Sequence, residues 1–148
     1  MEHVRLGNTG LKVSRLCLGT MTFAEEGIGV IPFNPIAGGV LTGKYDRSKP
    51  APEGTRFAYT GRIGDLYRGR YWQEQVFTGV DVLQQIATRA GVLLTTMAVA
   101  WVLANSTITS PIIGASKPEQ LEATIAALDV KLDSEVLAEL DKATVRFR

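Results

Sequence analysis

Apolar and polar positions change period along this chain, and the changes mark its elements. From residue 73 to 90, Val76, Val80, Leu83, Ile86 and Ala87 recur at the spacing of one helix face. Gly91 supplies the stop. A second helix follows, with Thr95 or Thr96 as its predicted cap and Met97, Ala98, Ala100, Trp101 and Leu103 within it. A third is predicted from Pro118 to about Leu128. A last one is capped by Asp133 or Ser134 and carries Leu137, Leu140 and Ala143 on its apolar side. The remaining apolar runs are short. Val4 to Leu6 and Leu11 to Val13 flank Gly7-Asn8-Thr9-Gly10, a hairpin pattern. Arg15 to Thr20, Val30 to Phe33 and Pro111 to Ile113 read as strands, although Pro32 cannot donate to a ladder. Residues 46 to 72, rich in Pro, Gly, Arg and Tyr, are predicted to be a long irregular loop. Strands followed by helices indicate an α/β fold with parallel pairing.

Composition narrows the class. The 148 residues suit one domain, and 45% apolar with 21% charged content is ordinary for a globular chain. A net charge of +1 gives no general attraction to nucleic acid or to an anionic membrane. One cysteine, Cys17, excludes an internal disulfide framework and fits a reducing compartment. No apolar stretch reaches membrane-spanning length, and Met1 to Leu6 lacks a signal-peptide core. The expected location is cytoplasmic.

Three stretches carry candidate chemistry. Ile112 to Leu121 runs from a short strand through Gly114-Ala115-Ser116-Lys117 into a helix opened by Pro118. Backbone amides and Lys117 there suit an anion such as a phosphate, but an ordinary capped helix would read the same way. Gly38 to Lys44 matches the G-x-x-x-x-G-K core of a phosphate loop, yet Tyr45 stands where Ser or Thr would hold Mg²⁺, and no helix is predicted after it. Arg56 to Trp72 interleaves basic and aromatic residues, which suits single-stranded nucleic acid or a loop of an enzyme fold.

In their order, these stretches resemble the aldo-keto reductases. Val13-Ser14-Arg15-Leu16-Cys17-Leu18-Gly19-Thr20-Met21-Thr22-Phe23 is similar to the first barrel strand of that family. Asn34-Pro35-Ile36-Ala37-Gly38-Gly39-Val40-Leu41-Thr42-Gly43-Lys44-Tyr45 resembles its seventh strand and following loop, which Pro52 to Phe57 continue. Ala98 to Leu103 resembles the next helix, and Pro111 to Leu121 the eighth strand with its cofactor-phosphate motif.

The resemblance implies a partial (β/α)8 TIM barrel that keeps strands one, seven and eight with their helices and the N-terminal hairpin. A complete barrel typically needs ~250 residues. Strand one here runs into strand seven around Glu26 to Gly29, so strands two to six are absent. One shortened domain is expected, with residues 1–27 as hairpin and first strand and 28–148 as the cofactor-binding part. The family's Asp, Tyr, Lys and His tetrad would fall in the absent stretch, and the single histidine, His3, precedes the barrel strands. No catalytic residue and no metal site is therefore assigned, and Tyr45, Tyr59, Tyr67 and Tyr71 are not promoted to the tetrad. The implied cofactor is NADP(H). Gly19, Thr20 and Met21 would lie near the nicotinamide. Asn34, Pro35, Ile36, Gly38, Thr42 and Lys44 would line the pyrophosphate. Gly114, Ala115, Ser116, Lys117 and Gln120 would surround the adenosine and its 2′-phosphate. Ala123 and Thr124 depart from the Glu and Asn often found there. Carbonyl substrates would be served only by a complete barrel. Neither nucleic acid nor membrane is an expected partner. A second copy or a complementing half-barrel is, because three strands leave Leu16, Leu18, Ile31, Phe33, Ile112 and Ile113 short of packing.

Overall fold

The computed structural model describes His3–Arg5, Lys12–Ser14 and residues 29–147. The expected strand from Arg15 to Thr20, with Gly19, Thr20 and Met21, lies outside the described residues. The hairpin strands β1 (His3–Arg5) and β2 (Lys12–Ser14) pair antiparallel, with Val4 opposite Val13. They take in Val4 and Arg5 of the first expected run and Lys12 and Val13 of the second.

Parallel pairing survives in reduced form. Val30 bridges Ile108 and Phe33 bridges Ile112, both parallel. The Pro32 carbonyl accepts from the Ile112 amide at 2.7 Å, and the Val30 carbonyl from the Thr109 amide at 2.8 Å. The ladder does not extend, and the two prolines explain part of this. Pro32 and Pro111 bring no N–H to it. The Val30 amide turns to the Thr109 side chain instead, at 3.1 Å. Ile31, Phe33 and Ile112 remain 55%, 68% and 54% exposed.

Residues 46–72 differ most from expectation. Helix α1 (Gly61–Tyr71) occupies the second half of that stretch, and a 3₁₀ turn lies at Arg56–Ala58. The helix escapes a periodicity search because glycines at 61, 64 and 69 dilute its pattern. Gly64 is there for space, since a Cβ would stand 1.7 Å from the Tyr59 carbonyl oxygen. Arg68 then ties helix to turn, donating to the Phe57 carbonyl at 2.6 Å and the Tyr59 carbonyl at 2.8 Å.

The other helices match their apolar patterns. Helix α2 (Glu74–Arg89) buries Val80, Ile86 and Ala87, and Gly91 follows at φ +70°. Helix α3 (Leu94–Leu103) begins before its predicted caps. Thr95 and Thr96 are buried inside it, where their hydroxyls donate to the Leu41 and Ala123 carbonyls at 3.2 and 2.7 Å. These threonines are spent on tertiary contacts, so neither caps. Helix α4 (Glu119–Ile125) continues as a 3₁₀ turn to Leu128. In α5 (Ser134–Thr144) the Asp133 carboxylate accepts from the Val136 amide at 2.8 Å, the predicted cap. One core joins α2, α3 and α5 through Ile86, Met97 and Leu140, and reaches Val40 and Phe57 in the glycine-rich stretch and its continuation. A smaller cluster of Val99, Ala100 and Ala127 seats α3 against the end of α4.

Candidate functional site

The site is built on the turn from Asn34 to Lys44. Asn34 adopts φ +60°, a conformation asparagine tolerates better than most residues. Both ends of its side chain are hydrogen-bonded. Oδ1 accepts from the Gly38 amide at 2.7 Å, and Nδ2 donates to the Tyr71 hydroxyl at 3.0 Å. Ala37, Gly38 and Gly39 all carry positive φ, at +49°, +69° and +100°, so the chain coils back on itself. The amides of Ala37, Gly39, Leu41 and Gly43 bond to carbonyls of the same turn. The Thr42 hydroxyl donates to the Gly39 carbonyl at 2.7 Å and accepts from the Lys44 amide at 3.4 Å. Most amides here are therefore taken, and the turn offers shape and side chains more than open backbone donors.

Aromatic rings from α1 and its flanks floor this turn. An alanine Cβ at Gly38 would lie 3.0 Å from Cδ1 of Tyr67, and one at Gly39 would lie 3.3 Å from the Tyr45 hydroxyl. Phe57 is 1% exposed, with the Tyr45 ring centroid 5.1 Å away and Trp72 also at 5.1 Å. Tyr67 packs edge-on against Phe57 at 6.2 Å. Burial raises the pKa of Tyr45 above the ordinary phenol value, opposed by the Thr55 hydroxyl and by the charge of Arg56.

Arg56 reaches from Tyr67 toward the turn at Gly114. Its Nη1 donates to the Tyr67 hydroxyl at 3.3 Å, and its guanidinium lies 5.5 Å from the Tyr67 ring centroid. Its Nη2 stands 3.7 Å from the place of a Gly114 Cβ. One tyrosine and one arginine thus lie between Gly38 and Gly114, 76 positions apart. Arg56 and Tyr67 are absent from the sequence-predicted set. The signal for them was the basic and aromatic run at 56–72, whose period the glycines hide.

The other predicted residues fall as follows. Lys44 is exposed, with its ammonium 5.1 Å from the Tyr45 ring. Ile36 packs toward the Val99 cluster, and Pro35 stands beside it in the turn. Gly114, Ala115, Ser116 and Lys117 form an exposed turn. Ser116 does not cap α4 with its side chain. Its amide and hydroxyl instead both donate to Oε1 of Gln120, at 2.9 and 3.1 Å. Thr124 is buried and its hydroxyl donates to the Leu121 carbonyl at 2.8 Å, so this departure from the family pattern serves helix packing. Among the described residues no ion pair engages Lys44, Arg56 or Lys117. Each is a cation of a kind that suits a phosphate. Among the described residues no His, Cys, Asp and Glu group could hold a metal, and no single helix is long and apolar enough to cross a membrane.

The aldo/keto reductase family model matches residues 15–145. The chain belongs to the aldo/keto reductase family. Among the relatives of this aldo/keto reductase is an L-glyceraldehyde 3-phosphate reductase of Escherichia coli O157:H7, 34% identical over 125 residues, which are 82% of this chain and 35% of that protein. An uncharacterized oxidoreductase of Bacillus subtilis is 37% identical over 117 residues, 79% of this chain and 32% of its own. A probable voltage-gated potassium channel subunit beta of Arabidopsis thaliana is 34% identical over 108 residues, 73% and 32%. The glycerol dehydrogenase structure from Gluconobacter oxydans superposes with a TM-score of 0.62 at 20% identity, over 84% of this chain and 36% of that one. The fold is therefore that of part of an aldo/keto reductase. The chain spans about a third of the length of the relatives it matches.

Proposed function

We propose that this chain carries the dinucleotide-binding part of an NADP-dependent aldo/keto reductase, as a partial (β/α)8 barrel holding strands one, seven and eight. Residues 28–148 form the cofactor part. The reading rests above all on Arg56 lying against Tyr67 of the Asn34–Lys44 turn's floor and close to Gly114, with no ion pair on Lys44, Arg56 or Lys117 among the described residues. Arg56 and Lys44 would face the pyrophosphate, and Lys117 with Gln120 the 2′-phosphate side. Asn34 and Thr42 would line the pyrophosphate too, and their side chains also hold the turn's shape. Gly19, Thr20 and Met21 would lie toward the nicotinamide. When bound, NADPH supplies a hydride for reduction of an aldehyde or ketone.

Reduction also needs a positioned proton donor. His3 is the only histidine, and the four tyrosines stand at 45, 59, 67 and 71. Tyr45, Tyr67 and Tyr71 pack or hydrogen-bond in the turn's floor. Tyr59 is exposed beside the 3₁₀ turn that precedes α1, within the stretch that resembles the family's loop. The Asp, Tyr, Lys and His tetrad is absent on this reading, and the isolated chain does not reduce carbonyls. The test is NADPH oxidation with a reactive aldehyde, using chain freed of host reductases. No turnover above the R56M background is expected, and Arg56-dependent turnover would overturn the claim.

A second reading, a module for assembly, is favoured by the exposed Ile31, Phe33 and Ile112. On it, a second copy or a complementing half-barrel covers the strand edge. Sedimentation showing a monomer at micromolar concentration would contradict it.

A further inference from the structure

Tyr67 occupies an unusual place, because two different contacts meet on one side chain. Its ring edge lies against Gly38, where a Cβ would stand 3.0 Å from Cδ1 and 3.1 Å from Cε1. Its hydroxyl accepts from Nη1 of Arg56 at 3.3 Å, and its ring lies 5.5 Å from the guanidinium. Four residues on, one turn of α1 later, Tyr71 packs beside it with ring centroids 6.2 Å apart. The Tyr71 hydroxyl accepts from Nδ2 of Asn34, which leaves Oδ1 facing the Gly38 amide. The i, i+4 spacing puts both phenols on one helix face. One face of α1 thus meets the turn with the Tyr67 ring and the Tyr71 hydroxyl, and meets the arginine with the Tyr67 hydroxyl.

A guanidinium on a flexible, exposed stem loses rotamer freedom when it binds an anion. An arginine already held by a ring and a hydroxyl has less to lose. We propose that Tyr67 is a positioning residue for anion binding, holding Arg56 in the gap between the Gly38 and Gly114 turns. This rests on the dinucleotide reading above. Tyr67 touches no phosphate itself; it acts through Arg56. Its ring sets the depth of the turn and its hydroxyl sets the direction of the guanidinium.

Two measurements on the full chain separate this proposal from the reading it rests on. The first uses no ligand. Nitrogen-15 NMR of the arginine side chains follows guanidinium rotation in wild type and in Y67F, which keeps the ring and loses the hydroxyl. Arg56 rotation is expected to be hindered in wild type and fast in Y67F, with the melting temperature unchanged. Fast rotation in wild type overturns the proposal, whatever binds. The second is a double-mutant cycle on NADPH affinity with Y67F, R56M and both. Y67F is expected to weaken binding roughly five- to tenfold. Y67F in the R56M background should have no further effect. Equal losses in both backgrounds would mean that Tyr67 acts on the turn alone and would overturn the proposal. If wild type binds no NADPH, the dinucleotide reading fails, and binding through Arg56 fails with it. The rotation result then still decides whether Tyr67 orders Arg56.

Discussion

Replacing Gly38 by alanine tests the turn at its tightest point. Two costs add there. The backbone sits at φ +69°, and an L-residue held in the left-handed region loses about 1–2 kcal/mol. The new methyl also meets Tyr67 at 3.0 and 3.1 Å and Cζ of Phe57 at 3.4 Å. Tyr67 is hemmed in by Phe57 and Tyr71, so its ring gives way only by moving its neighbours. Overpacking of that kind costs roughly 1–3 kcal/mol. Together G38A should lose about 2–5 kcal/mol. That is a large share of the roughly 5–15 kcal/mol a domain has. Gly54 is the built-in control, because it has φ +74° and no heavy atom within 4 Å of its would-be Cβ. G54A therefore carries the backbone cost alone. The assay is urea unfolding followed by tryptophan fluorescence, since Trp72 lies in the same aromatic cluster. G38A should exceed G54A by about 1–3 kcal/mol. In a Y67A background that difference should vanish. Equal losses for G38A and G54A in wild type would refute the close packing of Tyr67 on the turn.

Phe57, 1% exposed between Tyr45, Tyr67 and Trp72, should cost about 3–5 kcal/mol as F57A in the same unfolding experiment. The Asp133 cap should be worth about 1 kcal/mol, read from the unfolding midpoint of D133A. Asp46 accepts from the hydroxyl and amide of Ser48, with Lys49 nearby, which lowers its pKa to about 2. A carboxylate with a depressed folded pKa stabilises above its unfolded pKa, and that contribution is lost as pH falls from about 4 towards 2. Carboxyl NMR should place the Asp46 midpoint near 2 and move it upward in S48A; an ordinary midpoint in wild type would contradict the assignment.

Much of this architecture was legible in the chain, and the parts that were not share causes. Helices α2 and α5 announce themselves because one face of each meets a single core, so burial and period coincide. Asp133 reads as a cap because, among the described residues, no tertiary partner competes for its carboxylate. Thr95 and Thr96 look like caps too, but distant carbonyls of Leu41 and Ala123 claim their hydroxyls. Local rules do not see partners 27 and 54 residues away. Helix α1 is hidden for a related reason. Gly64 is selected by the approach of the Tyr59 carbonyl, which the helical period does not register. The site follows the same division. Asn34, Gly38, Thr42, Lys44, Gly114, Ser116, Lys117 and Gln120 are visible as motifs. That Asn34 and Thr42 hydrogen-bond inside the turn, and that Arg56 lies against Tyr67, emerges only when α1 is in place.

The measurement that bears most directly on the account is titration of the purified chain with NADPH, followed by fluorescence and thermal melting together. Saturable binding with a raised melting temperature, both weakened in R56M and by added pyrophosphate, is the predicted result. A chain that melts cooperatively and takes up no NADPH would contradict it, because the two turns would then be folded and joined without forming a dinucleotide site.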